Sequence, residues 1–92
     1  MSWTITEWEY KPNLQGIEFA LASDGDKVIF VMSFMAIADY FQVEQSRSVL
    51  AETFERHKQR IASFASRVID ICPVHDCGHR LLSLNFCREM AL

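Results

Sequence analysis

A short segment in the second half of the chain carries four side chains that bind transition metals. Its pattern is Cys72-x2-His75-x-Cys77-x-His79, which brings two thiols and two imidazoles close together in sequence. Structural zinc sites take one pair of such ligands from each of two separate parts of a chain. Here one tight loop would have to supply all four, and Cys72 also falls on the apolar face of a predicted helix. We therefore predict no metal and no other cofactor, with a metal-binding or redox module as the alternative.

His57, followed by Lys58, is the second candidate for chemistry. Histidine changes its charge near neutral pH, so it often transfers protons in active sites. The sequence offers no recognisable nucleophile, acid–base partner or glycine-rich loop to complete a catalytic set. We predict that the protein is not an enzyme and that His57 forms a hydrogen bond between a helix and the sheet.

Three arginines, Arg56, Arg60 and Arg67, project from one side of a predicted helix and could meet phosphates or an acidic partner. The chain as a whole has 9 basic and 12 acidic residues, a net charge of −3. Proteins that bind nucleic acid use more cations, typically about six to ten phosphate contacts. A solvated helix face is the simpler interpretation, and a nucleic-acid-binding regulator is kept as a further alternative.

Aromatic residues crowd the first segment, where Trp3, Trp8 and Tyr10 lie close together. Such side chains are enriched where one protein anchors another, and an edge strand can pair with a second copy. The alternative is that both indoles cover the core. We predict a protein-interaction or regulatory module that binds an unidentified protein partner or forms a homodimer. The predicted interaction residues are Trp3, Trp8, Arg56, His57, Lys58, Arg60 and Arg67.

The first forty residues have the patterns of β-strands. A short, irregular strand is predicted between Trp3 and Tyr10, followed by the alternating apolar residues Ile17, Phe19 and Leu21. Asp24-Gly25 then predicts a hairpin turn. The return strand, residues 28–32, is apolar on both faces, which predicts a central position in the sheet.

Two helices should cover this sheet. Ser33 is a predicted N-cap for a short helix over Phe34–Phe41, and Ser46 for a long helix over Arg47–Ile71 that Pro73 ends. At 100° per residue, the apolar side chains of the long helix fall on one face. They are Leu50, Phe54, Ile61, Phe64, Ala65, Val68 and Cys72.

The end of the chain is predicted to be a loop over residues 74–79, a last strand over Arg80–Phe86 and a short tail over Cys87–Leu92. In that strand, Leu82, Leu84 and Phe86 would face the core. The predicted class is therefore α+β. A small antiparallel sheet, made of the β-hairpin and a C-terminal strand, packs against one short and one long amphipathic helix.

Composition limits the organisation and location of the protein. Its 92 residues are half hydrophobic and make one domain, residues 1–92, too apolar for intrinsic disorder. The longest apolar stretch, Val28–Ala38, is about half the ~20 residues that a membrane helix needs, and no secretory signal precedes it. Three cysteines, an odd number, do not suggest a disulfide framework. We expect a cytoplasmic protein without a membrane partner.

Several short pieces follow one another in a set order along the chain. They are Trp8, Ile17-Glu18-Phe19, Asp24-Gly25, Val28, Ser33, Ala36-x-x-Asp39-x-Phe41, Leu50, Phe54-x-x-His57, Ile61 and Ala65. Their order and spacing resemble a small bacterial protein family, the domain-of-unknown-function family 1488. The resemblance covers residues 8–72 and implies a small antiparallel sheet against helices, with no established activity. Family members usually carry arginine where this chain has Lys58, and lysine lacks the planar fork that grips anions. The segment Cys72–His79 is not part of the family pattern.

Overall fold

A four-stranded sheet forms one layer of the part of the chain that the structure describes. The computed structural model describes residues 3–72, 74 and 78–90. The strands are β1 (Thr4–Lys11), β2 (Gly16–Ser23), β3 (Asp26–Ser33) and β4 (Arg80–Leu82), and they lie side by side in chain order. β1, β2 and β3 are antiparallel, as predicted, and β3 is central. β4 runs parallel to β3, so the predicted antiparallel direction of the last strand is wrong.

The hairpin between β2 and β3 follows from its turn residues. Asp24 and Gly25 both adopt positive φ angles, 48° and 89°, as the tight turns of twisted hairpins require. The turn sets the register, in which Phe19 lies opposite Phe30 and Ile17 opposite Met32. These four side chains point to the same face and are buried in the core. The predicted irregularity of the first strand is a register shift in β1 between Ile5 and Glu7.

The helical layer packs on this apolar face of the sheet. It contains α1 (Phe34–Tyr40), α2 (Arg47–Arg56), α3 (Lys58–Val68) and α4 (Leu84–Glu89). Because α1, α2 and α3 intervene between β3 and β4, the chain returns to the sheet by a crossover, and β4 is parallel to its neighbour. The helices contribute to the core Phe34, Ile37, Leu50, Phe54, Ile61, Phe64, Val68 and Cys87.

The predicted long helix is two helices that meet at His57. The backbone of His57 has φ −103° and ψ 17°, which ends α2 and lets α3 begin in a new direction. Both parts keep the predicted apolar stripe on the sheet, since Leu50 and Phe54 on α2 and Ile61 on α3 are fully buried. A straight helix of that length would have carried one of its ends away from a small sheet. α3 also ends at Val68, three residues before the predicted end, and Pro73 lies outside the described residues.

The last strand is shorter than predicted, and the predicted tail is a helix. β4 stops at Leu82, which faces the core as expected. The Ser83 hydroxyl then accepts a hydrogen bond from the Phe86 backbone N–H at 3.2 Å and caps α4. Cys87, which was assigned to the tail, is fully buried, and Leu84 and Phe86 pack against the core from α4. Ser83 is a local signal for the start of a helix. The alternating leucines favoured a longer strand instead.

None of the helices in the described ranges is long and apolar enough to cross a membrane. Of the predicted loop over residues 74–79, residues 75–77 lie outside those ranges. Within it, Val74 pairs with Arg80 in an isolated antiparallel bridge.

Candidate interaction surface at the first strand and third helix

A groove runs between the beginning of β1 and one side of α3. It encloses about 550 Å³. Its walls are Trp3, which precedes β1, Thr4 and Ile5 from β1, and Lys58, Gln59, Ala62, Ser63 and Ser66 from α3. The residues at positions 58, 62 and 66 repeat every fourth position, so they form a single stripe along α3. Ala62 on that stripe is itself buried, and the small side chains of Ala62 and Ser66 leave open the space beside β1.

β1 is the strand at the edge of the sheet. It pairs with β2 on one side, and no other strand of the described residues pairs with its second side. An edge strand presents backbone N–H and C=O groups that can pair with another chain. The groove therefore lies beside a strand edge that is open to pairing, and Thr4 and Ile5 belong to both features.

Trp8 connects this edge to the junction between α2 and α3. Its indole Nε1–H donates a hydrogen bond to Glu55 Oε2 at 2.7 Å, while Lys58 Nζ donates to the other carboxylate oxygen at 3.1 Å. The indole ring also packs against Phe54, with ring centroids 5.1 Å apart. The hydrogen bond from Lys58, followed by the one from Trp8, holds the pKa of Glu55 below its ordinary value. Trp3, Trp8 and Lys58, three predicted interaction residues, thus lie around one surface.

His57 packs against an aromatic ring and forms a hydrogen bond at the junction of α2 and α3. Its ring stacks on Phe41, with centroids 4.2 Å apart and planes 21° from parallel. Its Nδ1 lies 3.0 Å from the backbone carbonyl oxygen of Thr53. A carbonyl can only accept, so this hydrogen bond assigns the proton to Nδ1. The predicted hydrogen bond of His57 is therefore present, but its partner is the end of α2 and not the sheet.

The three predicted arginines are not one continuous stripe. Arg56 belongs to α2, where its Nη2 donates to Glu52 Oε1 at 2.9 Å. Arg60 and Arg67 belong to α3, beyond the change of direction at His57. The Arg60 guanidinium lies over the rings of Tyr40 and Phe41, 5.7 Å from each centroid, and Arg67 lies 5.5 Å from the centroid of Phe64. Each of these three cations contacts a different carboxylate or aromatic ring. They therefore do not form a single row that could bind an anion.

The cysteine- and histidine-containing segment is only partly described. His75 and Cys77 lie outside the described residues. Cys72 is buried and its Sγ donates to the Leu81 carbonyl oxygen at 3.2 Å, and burial raises the pKa of this thiol to about 11. His79 is also buried. Within ranges 3–72, 74 and 78–90, no three His, Cys, Asp or Glu side chains are grouped so that they could hold a metal ion.

The groove residues on α3 and the role of Glu55 were not predicted from the sequence. Gln59, Ala62, Ser63 and Ser66 have no chemical signature of their own. The available signal was their position, since they border the apolar stripe on one side of the helix. The sequence does not single out Glu55, because its tryptophan partner is distant along the chain.

The arrangement of a small, mostly antiparallel sheet with helices on one face defines the chain as an α+β protein of a known type. The sequence profile of the family described as "Protein of unknown function (DUF1488)" matches residues 6–82. The chain therefore belongs to the DUF1488 family, as the resemblance implied. No curated protein matches it.

A solved structure shares the fold. It is the crystal structure of a protein of unknown function from the DUF1488 family of Shewanella loihica PV-4. The two chains superpose with a TM-score of 0.71 at 20% sequence identity, over 87% of this chain and 90% of the other. At that identity the likeness extends to the fold, and the function of the family is not known.

Proposed function

We propose that the protein is a non-enzymatic interaction module that binds an extended segment of a partner protein along the open edge of β1. The observation that carries this proposal is the continuity between the strand edge and the groove beside α3. Addition of a strand to a sheet edge is a recurrent mode of peptide recognition. Backbone hydrogen bonds supply affinity, and pockets for alternate side chains supply specificity.

The groove lies where the alternate side chains of an added strand would point. Neighbouring strands are about 4.8 Å apart, and every second residue of a strand faces the same side of the sheet. On β1, the side chains that face the helices include Ile5 and Trp8, which pack against the core. A partner strand next to β1 would direct its own alternate side chains toward Ala62 and Ser63 on α3.

The walls of the groove suit an apolar or aromatic side chain. Trp3 and Ile5 are half-buried and supply apolar surface, while Lys58 and Gln59 supply a polar rim. Aromatic anchors surrounded by polar groups are typical of the energetically dominant parts of protein interfaces. The volume of about 550 Å³ is within the roughly 300–1,000 Å³ that ligand-binding clefts span.

Selection from a library of phage-displayed ten-residue peptides on the immobilised protein tests this proposal. Selected peptides are then synthesised, and their affinities are measured by calorimetry for the wild type and two variants. Ser63→Trp fills the groove and should abolish binding. Ser48→Trp places the same side chain on an exposed position of α2 and should leave binding unchanged. The proposal is wrong if the library yields no binder, or if the selected peptides bind Ser63→Trp as tightly as they bind the wild type.

A further inference from the structure

The charges of the protein are divided between its two layers. Residues 4–33, which contain β1, β2 and β3, carry five acidic and two basic side chains, a net charge of −3. Residues 47–68, which contain α2 and α3, carry five basic and two acidic side chains, a net charge of +3. The face of the sheet that points away from the helices has three carboxylates, on Glu7, Glu9 and Glu18, and two lysines, Lys11 and Lys27. These carboxylates lie on β1 and on its neighbour β2, and β1 forms one border of the face.

Two exposed glutamates lie on that face of the edge strand. Glu7 pairs with Ala20 and Glu9 with Glu18 in the register of β1 and β2, on the side opposite to the core residues Trp8 and Phe19. Their side chains are 68% and 69% exposed. Lys27 lies 3.1 Å from Glu7, and Lys11 lies 3.5 Å from Glu9.

Glu9 already has a like charge directly across the sheet, on Glu18 of β2. Like charges on directly opposed residues of neighbouring strands are unfavourable. A strand added on the outer side of β1 would place one of its residues directly opposite Glu9. Glu18, Glu9 and the added residue would then form one row across the sheet. A cation at that position offsets the repulsion, whereas a third carboxylate increases it.

A second copy of β1 would supply that third carboxylate. Residues 7–11 form the regular part of β1, beyond the register shift. Antiparallel self-pairing centred on Glu9 puts Glu9 opposite its own copy but Glu7 opposite Lys11 twice, and pairing centred on Trp8 puts Glu7 opposite Glu9 twice. Pairing centred on Tyr10 places Glu9 opposite Lys11, but the contact soon ends at Pro12, which has no N–H and begins a 3-10 turn. Self-pairing of β1 therefore opposes glutamates, mixes one like pair with two unlike pairs, or is cut short by Pro12. A partner strand with alternating basic residues puts a cation beside both glutamates and is the better match for this edge.

We infer that the edge of β1 selects an extended partner segment in which Lys or Arg alternates with apolar residues. The basic side chains lie beside Glu7 and Glu9 on the open face of the sheet. The apolar side chains point the other way, into the groove between Ile5 and α3. This inference rests on the proposed function, and it adds the chemical class of the partner and a preference for that partner over a second copy.

The peptides selected on the protein test the inference through their sequences and their dependence on two carboxylates. Lys or Arg should be enriched at alternate positions. The double variant E7Q/E9Q should bind these peptides about tenfold more weakly, as expected for the loss of two cross-strand ion pairs. The control D70N/E89Q removes the same charge from exposed positions outside β1 and the groove, and should leave the affinity unchanged.

The outcomes separate the inference from the proposed function. Peptides that lose binding to Ser63→Trp, but have no basic pattern and bind E7Q/E9Q normally, would refute the charge selection and leave the binding site in place. A native mass spectrum of the untagged protein supplies the second readout. We expect a monomer, and a stable dimer whose β1 amides are protected from hydrogen exchange overturns the preference for a basic partner over a second copy.

Discussion

The imidazole of His57 stacks on the ring of Phe41, and the same histidine binds the carbonyl oxygen of Thr53 through Nδ1. Phe41 directly follows α1, and Thr53 belongs to the last turn of α2. One side chain therefore joins the end of the first helix to the junction of the next two. Because α3 carries one wall of the groove, this contact also fixes the position of the proposed binding surface.

Replacement of His57 by Ala should lower the free energy of unfolding by about 1–3 kcal/mol, since it removes an aromatic stack and a hydrogen bond. His57→Phe retains a ring for the stack and should lose less. Urea denaturation followed by circular dichroism measures both. A His57→Ala variant within about 0.5 kcal/mol of the wild type, the usual range of surface substitutions, would show that the contact is not structural.

Two serines at helix N-caps provide a matched comparison. The Ser33 hydroxyl accepts a hydrogen bond from the Ala36 N–H at 3.0 Å, whereas Ser46 makes no side-chain cap hydrogen bond. Ser33→Ala should therefore destabilise the protein by about 0.5–2 kcal/mol, and Ser46→Ala by clearly less. Chemical denaturation of both variants measures the difference. Equal losses would contradict the capping geometry.

The hydrogen bonds to Glu55 should be visible in its titration. Trp8→Phe removes the indole donor and should raise the pKa of Glu55, and Lys58→Met should raise it more, since Lys58 is the larger cause. A lowered carboxyl pKa stabilises the folded state above the unfolded value, and the contribution disappears as the pH falls through the folded value. Carbon-detected NMR titration of the Glu55 carboxyl group measures this effect. Lys27→Met, which touches Glu7 instead, is the control and should leave Glu55 unchanged.

The thiols of Cys72 and Cys87 should react slowly in the folded protein. Burial raises the pKa of Cys72 to about 11 and that of Cys87 to about 12, so both remain protonated at pH 8. The thiolate is the nucleophile, so its loss in the folded protein should slow the reaction. We expect iodoacetamide to label both residues at least about a hundredfold more slowly in the folded protein than in urea. Peptide mass spectrometry follows each residue separately. Rapid labelling of folded Cys72 would favour the alternative redox or metal-binding module.

Local chemistry was sufficient for part of the fold. The Asp24-Gly25 turn requires positive φ angles, and Ser33 can cap a helix with its own hydroxyl, so both features depend on residues that are neighbours in sequence. The alternation in β2 and the apolar stripe of α2 and α3 also identified most of the core. These elements were predictable because their signals and their causes lie within a few residues of each other.

Other features depend on contacts between distant parts of the chain. The interruption at His57 coincides with a stack on Phe41 from the end of α1, and no periodicity records that contact. Residues 84–89 fit a strand or a helix by their apolar spacing, and packing of Cys87 in the core accompanies the helix. The parallel direction of β4 follows from the helices that precede it.

The sequence by itself determined the family, the α+β class, the hairpin and the tryptophans that we assign to the interaction surface. Only the tertiary structure decided that Trp3 and Lys58 line one groove, that Trp8 meets Glu55, and that His57 separates two helices. The physical reason is that local conformation and burial leave periodic patterns in a sequence. A surface assembled from a strand edge and a distant helix leaves no such pattern, because its residues come together only when the layers pack.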